Sequence, residues 1–404
     1  MQSVFLLSLY LFELPYLFLM LMVIVGALRR VPARRSAARP SVSVVLPAHD
    51  EAASLPACLA SLAAQRYQGP IEFVVVDDRS TDATRTVIER FAAADPRFKL
   101  VTVTEPSRRL SPKVNAVDHG IRASRGEIVL ATDADCLHHP DWTTAMVSHF
   151  VDDVVMVAGY VETSRANEAR TLLQRFESVD WFTLMLVSRS LTRFGLKYAS
   201  SANNLAYRRS AFDACGGFGA AGRAPSGDED LLTQRLGRLP GATVVFAESP
   251  ECRVLTKGVG SVGELVRQRR RWVSRYHHVL HYQPAFLAGI GTLGLQSVWL
   301  TLAVLLLPVA PSLAPWVLGL WLVKAAIEYV GMGIGTRQWA RRDLWGLTTL
   351  WWSLLHPAFI ATAVVGSFLK PSAWRAGAQP YRRRFFQRRL RLFRRRVRAG
   401  AARY

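Results

Sequence analysis

The side chains with the clearest chemical potential are carboxylates that follow short apolar runs. Asp133-Ala134-Asp135 follows a run at 127–132, Asp77-Asp78-Arg79-Ser80-Thr81-Asp82 follows one at 71–76, and Pro47-Ala48-His49-Asp50-Glu51 follows one at 42–46. Two carboxylates separated by one small residue at a strand end can face a single hard cation. Mg2+ takes carboxylate oxygens together with substrate phosphates, and Mn2+ accepts the same donors. Each cluster alone has a bland alternative. Asp and Ser after a strand often cap the next helix, as Asp82 is placed to do, and an Asp-x-Asp pair can be two solvated loop acids. Three strands delivering carboxylates to one rim are harder to reduce to capping. Another acidic stretch, Gly227-Asp228-Glu229-Asp230, opens a helical run at 231–239. The helix dipole favours acids there, and one carboxylate such as Asp230 can also serve as a general base.

Such groups need a sheet to position them. Strand candidates at 42–46, 71–76, 100–103, 127–132 and 154–157 alternate with helical patterns near 52–66, 82–93, 113–124 and 141–150. This rhythm predicts an α/β domain over 41–250 with a mainly parallel sheet covered on both faces. Ligands then bind beyond the carboxyl ends of the strands. No strand candidate runs into a GxGxxG or GxxxxGK[ST] turn, which counts against a dinucleotide dehydrogenase and a P-loop ATPase. Cys58, Cys136, Cys215 and Cys252 show no CxxC spacing, so neither a zinc site nor a redox motif is encoded. Reduced thiols facing the cytoplasm fit best.

Charge and hydropathy add a membrane. The chain has 404 residues and carries a net charge of +21; it is 50% hydrophobic with 19 Phe and 11 Trp, enough to bury a core, so disorder is excluded. Lys370 and twelve Arg, with no acid, lie in 370–404, and five Arg lie in 29–39; the rest of the chain nets only +3. These basic collars abut apolar runs. They read as positive-inside signals and contacts to anionic membrane lipids, and not as a nucleic-acid surface. Residues 3–28, apolar apart from Glu13 and containing Pro15, predict a transmembrane anchor whose basic end stays in the cytoplasm. Further apolar runs cover about 285–307, 313–335 and 344–369, and the loop with Arg337, Arg341 and Arg342 is expected inside. If all three runs cross, the basic tail ends outside. Pro357, at the centre of the last run, divides it into halves too short to span. The preferred expectation is therefore a broken or re-entrant hairpin that returns the tail to the cytoplasm; the alternative is a kinked span with an exported tail. Residues 261–283 set Val262, Leu265, Val266, Trp272, Val273 and Tyr276 against Arg267, Arg269, Arg270 and Arg275, which predicts an interfacial helix lying under the first of the late apolar runs, where it can also gate entry to the site.

Five segments occur in a telling order: 47–51, Asp77-Asp78-x-Ser80-Thr81-Asp82, Asp133-Ala134-Asp135, Gly227-Asp228-Glu229-Asp230 and Gln268-Arg269-Arg270-Arg271-Trp272. Together they resemble the membrane-bound family 2 glycosyltransferases of GT-A fold, with their DxD, ED and QxxRW motifs, over roughly 41–280. The resemblance implies a nucleotide-sugar site lined by Pro47, Asp50, Glu51, Asp78, Lys113 and Asp133. It places a divalent cation on Asp135 and Asp133, Mg2+ or Mn2+, and a catalytic base at Asp230 beside Glu229. Gln268, Arg271 and Trp272 fall on the acceptor and diphosphate side, and Asn203-Asn204 resembles an acceptor-side segment, with a polar turn before a helix as its bland alternative. Asp50, Arg79 and Asp118 stand where the family more often has Asn, Gly and Asn, positions that bear on nucleotide choice.

The expected organisation is an anchor at 1–28, a basic linker at 29–40, a GT-A domain at 41–250, an amphipathic segment at 251–283, a transmembrane region at 284–369 and a basic cytoplasmic tail at 370–404. The expected function is inverting transfer from a nucleoside-diphosphate sugar, a UDP-sugar by resemblance, to a hydroxyl of a lipid-like or glycan acceptor. The place is the cytoplasmic face of a bacterial membrane. Two rivals stand beside it: a processive polysaccharide synthase and a non-catalytic nucleotide-sugar-binding membrane protein.

Overall fold

The computed structural model describes residues 7–31, 34–107, 109–164, 168, 171–198, 201–219, 222, 228–274 and 283–369. The N-terminal apolar run forms α1 (Leu14–Leu28) behind one π-helical turn, Leu9–Glu13. Strand and helix then alternate: β1 (Val42–Ala48), α2 (Leu55–Ala63), β2 (Ile71–Asp78), α3 (Thr84–Ala94), β3 (Phe98–Val103), α4 (Pro112–Ala123) and β4 (Ile128–Ala131). The chain continues through β5 (Cys136–His138), α5 (Trp142–Val147), β6 (Val154–Gly159), β7 (Val161–Glu162), α6 (Leu172–Thr192), β8 (Leu205–Arg208), α7 (Arg209–Ala214), α8 (Asp228–Leu236), β9 (Thr243–Ala247), β10 (Val254–Thr256) and α9 (Val262–Ser274). The long apolar helices α10 (Pro284–Leu306), α11 (Ala314–Gln338) and α12 (Leu347–Leu369) complete the order.

A seven-stranded sheet has the order β3-β2-β1-β4-β8-β6-β9. Every pairing in it is parallel except those of β8, which runs antiparallel to β4 and β6. A small sheet, β5-β10-β7, lies beside it. All residues of β1 are buried, as expected for a strand covered on both faces. Its side chains alternate between two apolar layers: Val45, with Val74, Val76 and Val129, joins one, while Val44 and Leu46, with Phe73 and Val75, join the other. Gly120 lets α4 close onto the first layer, since a Cβ there would lie 2.5 Å from Val45 Cγ1.

The first layer also contains Tyr16, Val23, Met332 and Trp352 of the apolar helices, joined to the sheet through α6. That helix starts with a capping box, Thr171 with Gln174, and runs 21 residues. Gly26 of α1 presses on the Ser190 backbone of α6, and Arg193 donates to the final carbonyls of α1, Gly26 O and Ala27 O at 3.1 Å and Arg29 O at 2.6 Å. Arg341, in the loop between α11 and α12, donates to Glu162 of β7 at 2.6 Å.

Among the described residues four helices are long and apolar enough to cross a membrane: Leu11–Leu28, Pro284–Leu306, Pro311–Gln338 and Leu347–Leu369. The expected break at Pro357 is absent, because α12 is one continuous helix through it. Proline removes the hydrogen bond to the carbonyl four residues earlier, Ser353 O. Lys324 of α11 donates to that carbonyl at 3.3 Å, so the freed group has a partner. Lys324 also pairs with Glu328 at 2.6 Å, and Glu328 accepts from Tyr16 at 2.5 Å and from Ser353. Glu13 accepts from Gln296 at 3.0 Å, so the acid expected to face protein does so. Helix α12 does not stand apart from the sheet domain: His356, at its middle, meets Asp180 of α6, and Gly366, near its end, meets Arg270 of α9. The tail at 370–404 and the end of the amphipathic segment, 275–282, lie outside the described residues.

Candidate active site

The register sets the carboxylates level. Ala48 of β1 pairs with Asp77 of β2, and Val45 pairs with Ala131 of β4, so the chain leaves all three strands on one rim. Two loops there interlock. Thr81 N–H donates to Asp50 Oδ1 at 2.7 Å, Asp50 N–H to Ser80 Oγ at 3.2 Å, His49 Nδ1 to Asp78 O at 2.7 Å, and Glu51 N–H to Thr84 Oγ1 at 2.8 Å. The Thr81 N–H holds the exposed Asp50 carboxyl below its ordinary pKa. Asp50 (φ +53°) and Arg79 (φ +59°) both adopt left-handed backbone, which costs a side-chain-bearing residue about 1–3 kcal/mol and persists where surroundings over-determine it. Pro47 is buried within β1. Asp78 is fully buried, and Arg79 grips it with Nε at 2.9 Å and Nη2 at 3.3 Å. This position therefore presents a guanidinium–carboxylate pair and not a bare acid. Asp82 accepts from Thr84 N–H at 2.8 Å but stands one residue before the N-cap of α3, which is Ala83, so the cap expected of it is not formed.

The Asp-x-Asp pair divides its work. Asp133 is held by Lys113, Nζ to Oδ1 at 2.8 Å and to Oδ2 at 3.0 Å, from the first turn of α4. Asp135 is half-buried and accepts from Thr256 Oγ1 at 3.2 Å and from the Cys136 thiol at 3.6 Å. Burial, then the charges of Asp133 and Glu51, push its carboxyl up from 3.8 to about 6. Three acids that repel one another with one mobile ammonium nearby suit a hard cation, which relieves the repulsion. Among the described residues no three acidic, histidine or cysteine side chains form a preformed metal cage. The donor set fits a cation that completes its shell with substrate phosphate oxygens and water, the habit of Mg2+ and Mn2+.

Asp230 sits buried in the first turn of α8, where the helix dipole stabilises a carboxylate. Thr233, one turn on, anchors α8 to Met156 of β6. Gly222 meets the start of the Lys113 helix, since Ser111 N–H donates to Gly222 O at 2.7 Å. Gly227 and the side chains of Asp228 and Glu229 lie outside the described residues. Gly217-Phe218-Gly219-Ala220-Ala221-Gly222 has a GxGxxG spacing but comes after helix α7 and no strand, so the context for a dinucleotide is missing.

Thr256 ends β10, and the chain reaches α9 within six residues, which ties that helix to the rim. Glu177 of α6 fixes the intervening loop by accepting from Val259 N–H at 3.0 Å, and burial pushes its carboxyl up to about 7. In α9 the consecutive arginines 269–271 differ. Arg269, expected on the polar face, is buried, donates to Asp180 at 2.7 Å and to Gln268 Oε1 at 2.5 Å, and lies 4.0 Å from the Trp272 ring centre. Gln268, Arg271 and Trp272 are partly exposed, while Val262, expected on the apolar face, is 64% exposed. The two asparagines also part company. Asn203 donates to Thr256 Oγ1 at 3.4 Å, two bonds from Asp135. Asn204 is fully buried and binds Tyr160 O, Cys252 O and Trp142 Nε1, so it braces the fold.

Comparison with known proteins bears on the family and the fold. A family model described as glycosyl transferase family 2 matches residues 43–216. An N-acetylglucosaminyltransferase of Bradyrhizobium elkanii is 35% identical over 134 residues, 32% of this chain and 70% of that protein. One of Mesorhizobium japonicum is 29% identical over 302 residues, 73% of this chain and 67% of that protein. Among solved structures, the mannosyltransferase PcManGT from Pyrobaculum calidifontis, in complex with GDP-Man and Mn2+, aligns over 90% of this chain and 97% of its own. Its TM-score of 0.59 at 19% identity is a likeness of fold.

Proposed function

The chain belongs to glycosyl transferase family 2, and we propose that it transfers a sugar from a UDP-sugar to a hydroxyl of a lipid-like acceptor at the membrane face, inverting the anomeric carbon. The observation that carries this reading is the convergence of Asp135, the Asp133–Lys113 pair and Glu51 on one rim, joined through Thr256 to the segment that becomes α9. Pro47, Asp50, Glu51 and Asp78 line the nucleoside in this reading, with Lys113 and Asp133 beside the diphosphate. Asp135 and Asp133 hold Mg2+ or Mn2+; when bound, the cation neutralises charge developing on the leaving diphosphate. Arg271 supplies a second, fixed positive charge to the same oxygens. Asp230, with Glu229 before it, takes the proton from the acceptor hydroxyl, and Gln268 and Trp272 hold the acceptor in line. One base and direct displacement give inversion.

A lipid-like acceptor suits a site whose α9 packs on an apolar helix. The reading also includes a bacterial cytoplasmic membrane, the sheet domain on its cytoplasmic side, and a tail at 370–404 on that same side, held by anionic lipids. Helix α12 supports the tail's placement: the loop before it reaches Glu162, and Gly366 near its end meets Arg270, so it lies along the domain instead of leading away from it. Membranes carrying the protein are incubated with a panel of UDP- and GDP-sugars, UDP-N-acetylglucosamine first because the two bacterial relatives above carry that sugar in their names. Lipids are then read by mass spectrometry, with Asp135→Ala as control. A lipid gaining one sugar is expected. A polymer instead moves the reading to a processive synthase, and no consumption of any donor moves it to a binding protein.

A further inference from the structure

We propose that Asp180, Arg269 and His356 form a positioning relay through which α12 sets Gln268 and Trp272 for transfer. The proposal rests on the acceptor-side reading of Gln268 and Trp272. Arg269 occupies an unspecified place of the Gln-x-x-Arg-Trp pattern, yet it touches both flanking residues. Its Nη1 donates to Gln268 Oε1 at 2.5 Å, which occupies the acceptor end of that amide and turns its NH2 elsewhere as a donor. Its guanidinium lies 4.0 Å from the Trp272 ring centre, and the Trp181 ring meets Trp272 edge-on at 5.1 Å and 84°. The indole is thus fixed from two directions.

The charge that does this is itself fixed from the apolar helix. Asp180, 3% exposed, accepts from Arg269 Nε at 2.7 Å on Oδ2 and faces His356 Nε2 at 3.5 Å on Oδ1. Burial alone would raise the Asp180 carboxyl, but Arg269 and His356 hold it down at about 2, so it stays ionised. The His356 ring centre lies 4.3 Å from that of Trp352, tilted by 34°, and the Trp352 side chain is buried. Nine residues beyond Pro357, Gly366 gives α12 room against Arg270, where a Cβ would lie 3.1 Å from Arg270 Cδ. The relay therefore runs from α12 to α6 to α9 without any of its three members belonging to the proposed donor site.

The test uses the full chain in phosphatidylglycerol nanodiscs. UDP release from UDP-N-acetylglucosamine with a bacterial total-lipid extract gives kcat and KM, and calorimetric titration with UDP and Mn2+ gives donor-side affinity. Asp180→Asn, Arg269→Lys and His356→Leu are expected to lower kcat about 10²-fold, the scale of a misplaced reacting geometry, with UDP affinity kept within about twofold. His356→Gln, which keeps an N–H toward Asp180, is expected to retain most of the rate. If Asp180→Asn does not fold, His356→Leu, which leaves the Asp180–Arg269 pair intact, carries the same measurement. Parent-like kcat in the folded variants overturns the relay, as does a loss of UDP affinity as large as the loss of kcat. A parent that binds UDP with Mn2+ but never turns over a donor refutes the transferase reading and the relay with it; a parent that turns over while Asp180→Asn matches it refutes the relay alone.

Discussion

Replacing Asp135 by Asn should make the metal-free protein more stable while removing its activity. The carboxyl rises from 3.8 to about 6 on folding, because burial and the neighbouring Asp133 and Glu51 charges disfavour the ionised form. A shift of that size corresponds to about 3 kcal/mol between the two protonation states. The sign comes from linkage. A raised carboxyl favours the fold fully below its unfolded pKa of 3.8, and that contribution is lost as pH rises through about 6. At pH 8 the parent bears the whole cost of a repelled carboxylate, and Asn does not. The assay is thermal melting of parent and Asp135→Asn in detergent with chelator at pH 8 and pH 5, then with Mn2+ and UDP. At pH 8 with chelator the variant should melt several degrees higher; at pH 5 the gap should shrink, since the parent is then largely protonated. Mn2+ with UDP should raise the parent and leave the variant unmoved. A variant that melts lower at pH 8, or a gap indifferent to pH, would falsify the account of the acidic rim.

Three further outcomes are expected. Asp230→Asn keeps UDP binding and lowers transfer by roughly 10²–10⁴-fold, the scale of general-base catalysis, measured as sugar incorporated into lipid; near-parent turnover would move the base to another carboxylate. Glu328→Gln leaves Lys324 buried without its countercharge and should cost about 3–5 kcal/mol, read as loss of folded protein on detergent extraction, whereas Lys324→Met with Glu328→Leu should recover much of it; equal yields from all three would show that the pair does not fasten α11 to α1 and α12. A cysteine near residue 400, in a variant lacking Cys58, Cys136, Cys215 and Cys252, should resist an impermeant thiol reagent on intact cells and react once membranes are opened. Labelling from outside would mean that α12 crosses and carries the tail with it.

Much of the site was legible because parallel strands buried on both faces must be short apolar runs, and the residues just past their carboxyl ends must lie on one rim. The sequence expectations at 42–46, 71–76, 100–103, 127–132 and 154–157 correspond to β1, β2, β3, β4 and β6. Strands β5, β7, β8, β9 and β10, which were not expected, run two to five residues and carry no periodicity of their own. β8 is inserted antiparallel between strands distant in the chain, which only pairing decides. Helix α6 shows no clean stripe because it is buried nearly all round, between the sheet and the apolar helices, so Glu177, Asp180 and Arg189 interrupt its apolar pattern while lying inside.

The amino-acid sequence by itself determined which chemistry was present: carboxylates at three strand ends, a lysine beside them, an acidic helix start, and an arginine-tryptophan segment next to apolar helices. Residue type and spacing suffice for that, because strand ends and helix starts are local. Tertiary structure alone decided which of three consecutive arginines turns inward, since a helix has no phase until something packs on it; Asp180 and the Trp181 ring, both on α6, chose Arg269. It also decided that α12 survives its proline. The local rule predicts a break, but the rule concerns an unsatisfied carbonyl, and the donor that satisfies Ser353 O comes from Lys324, twenty-nine residues away on another helix.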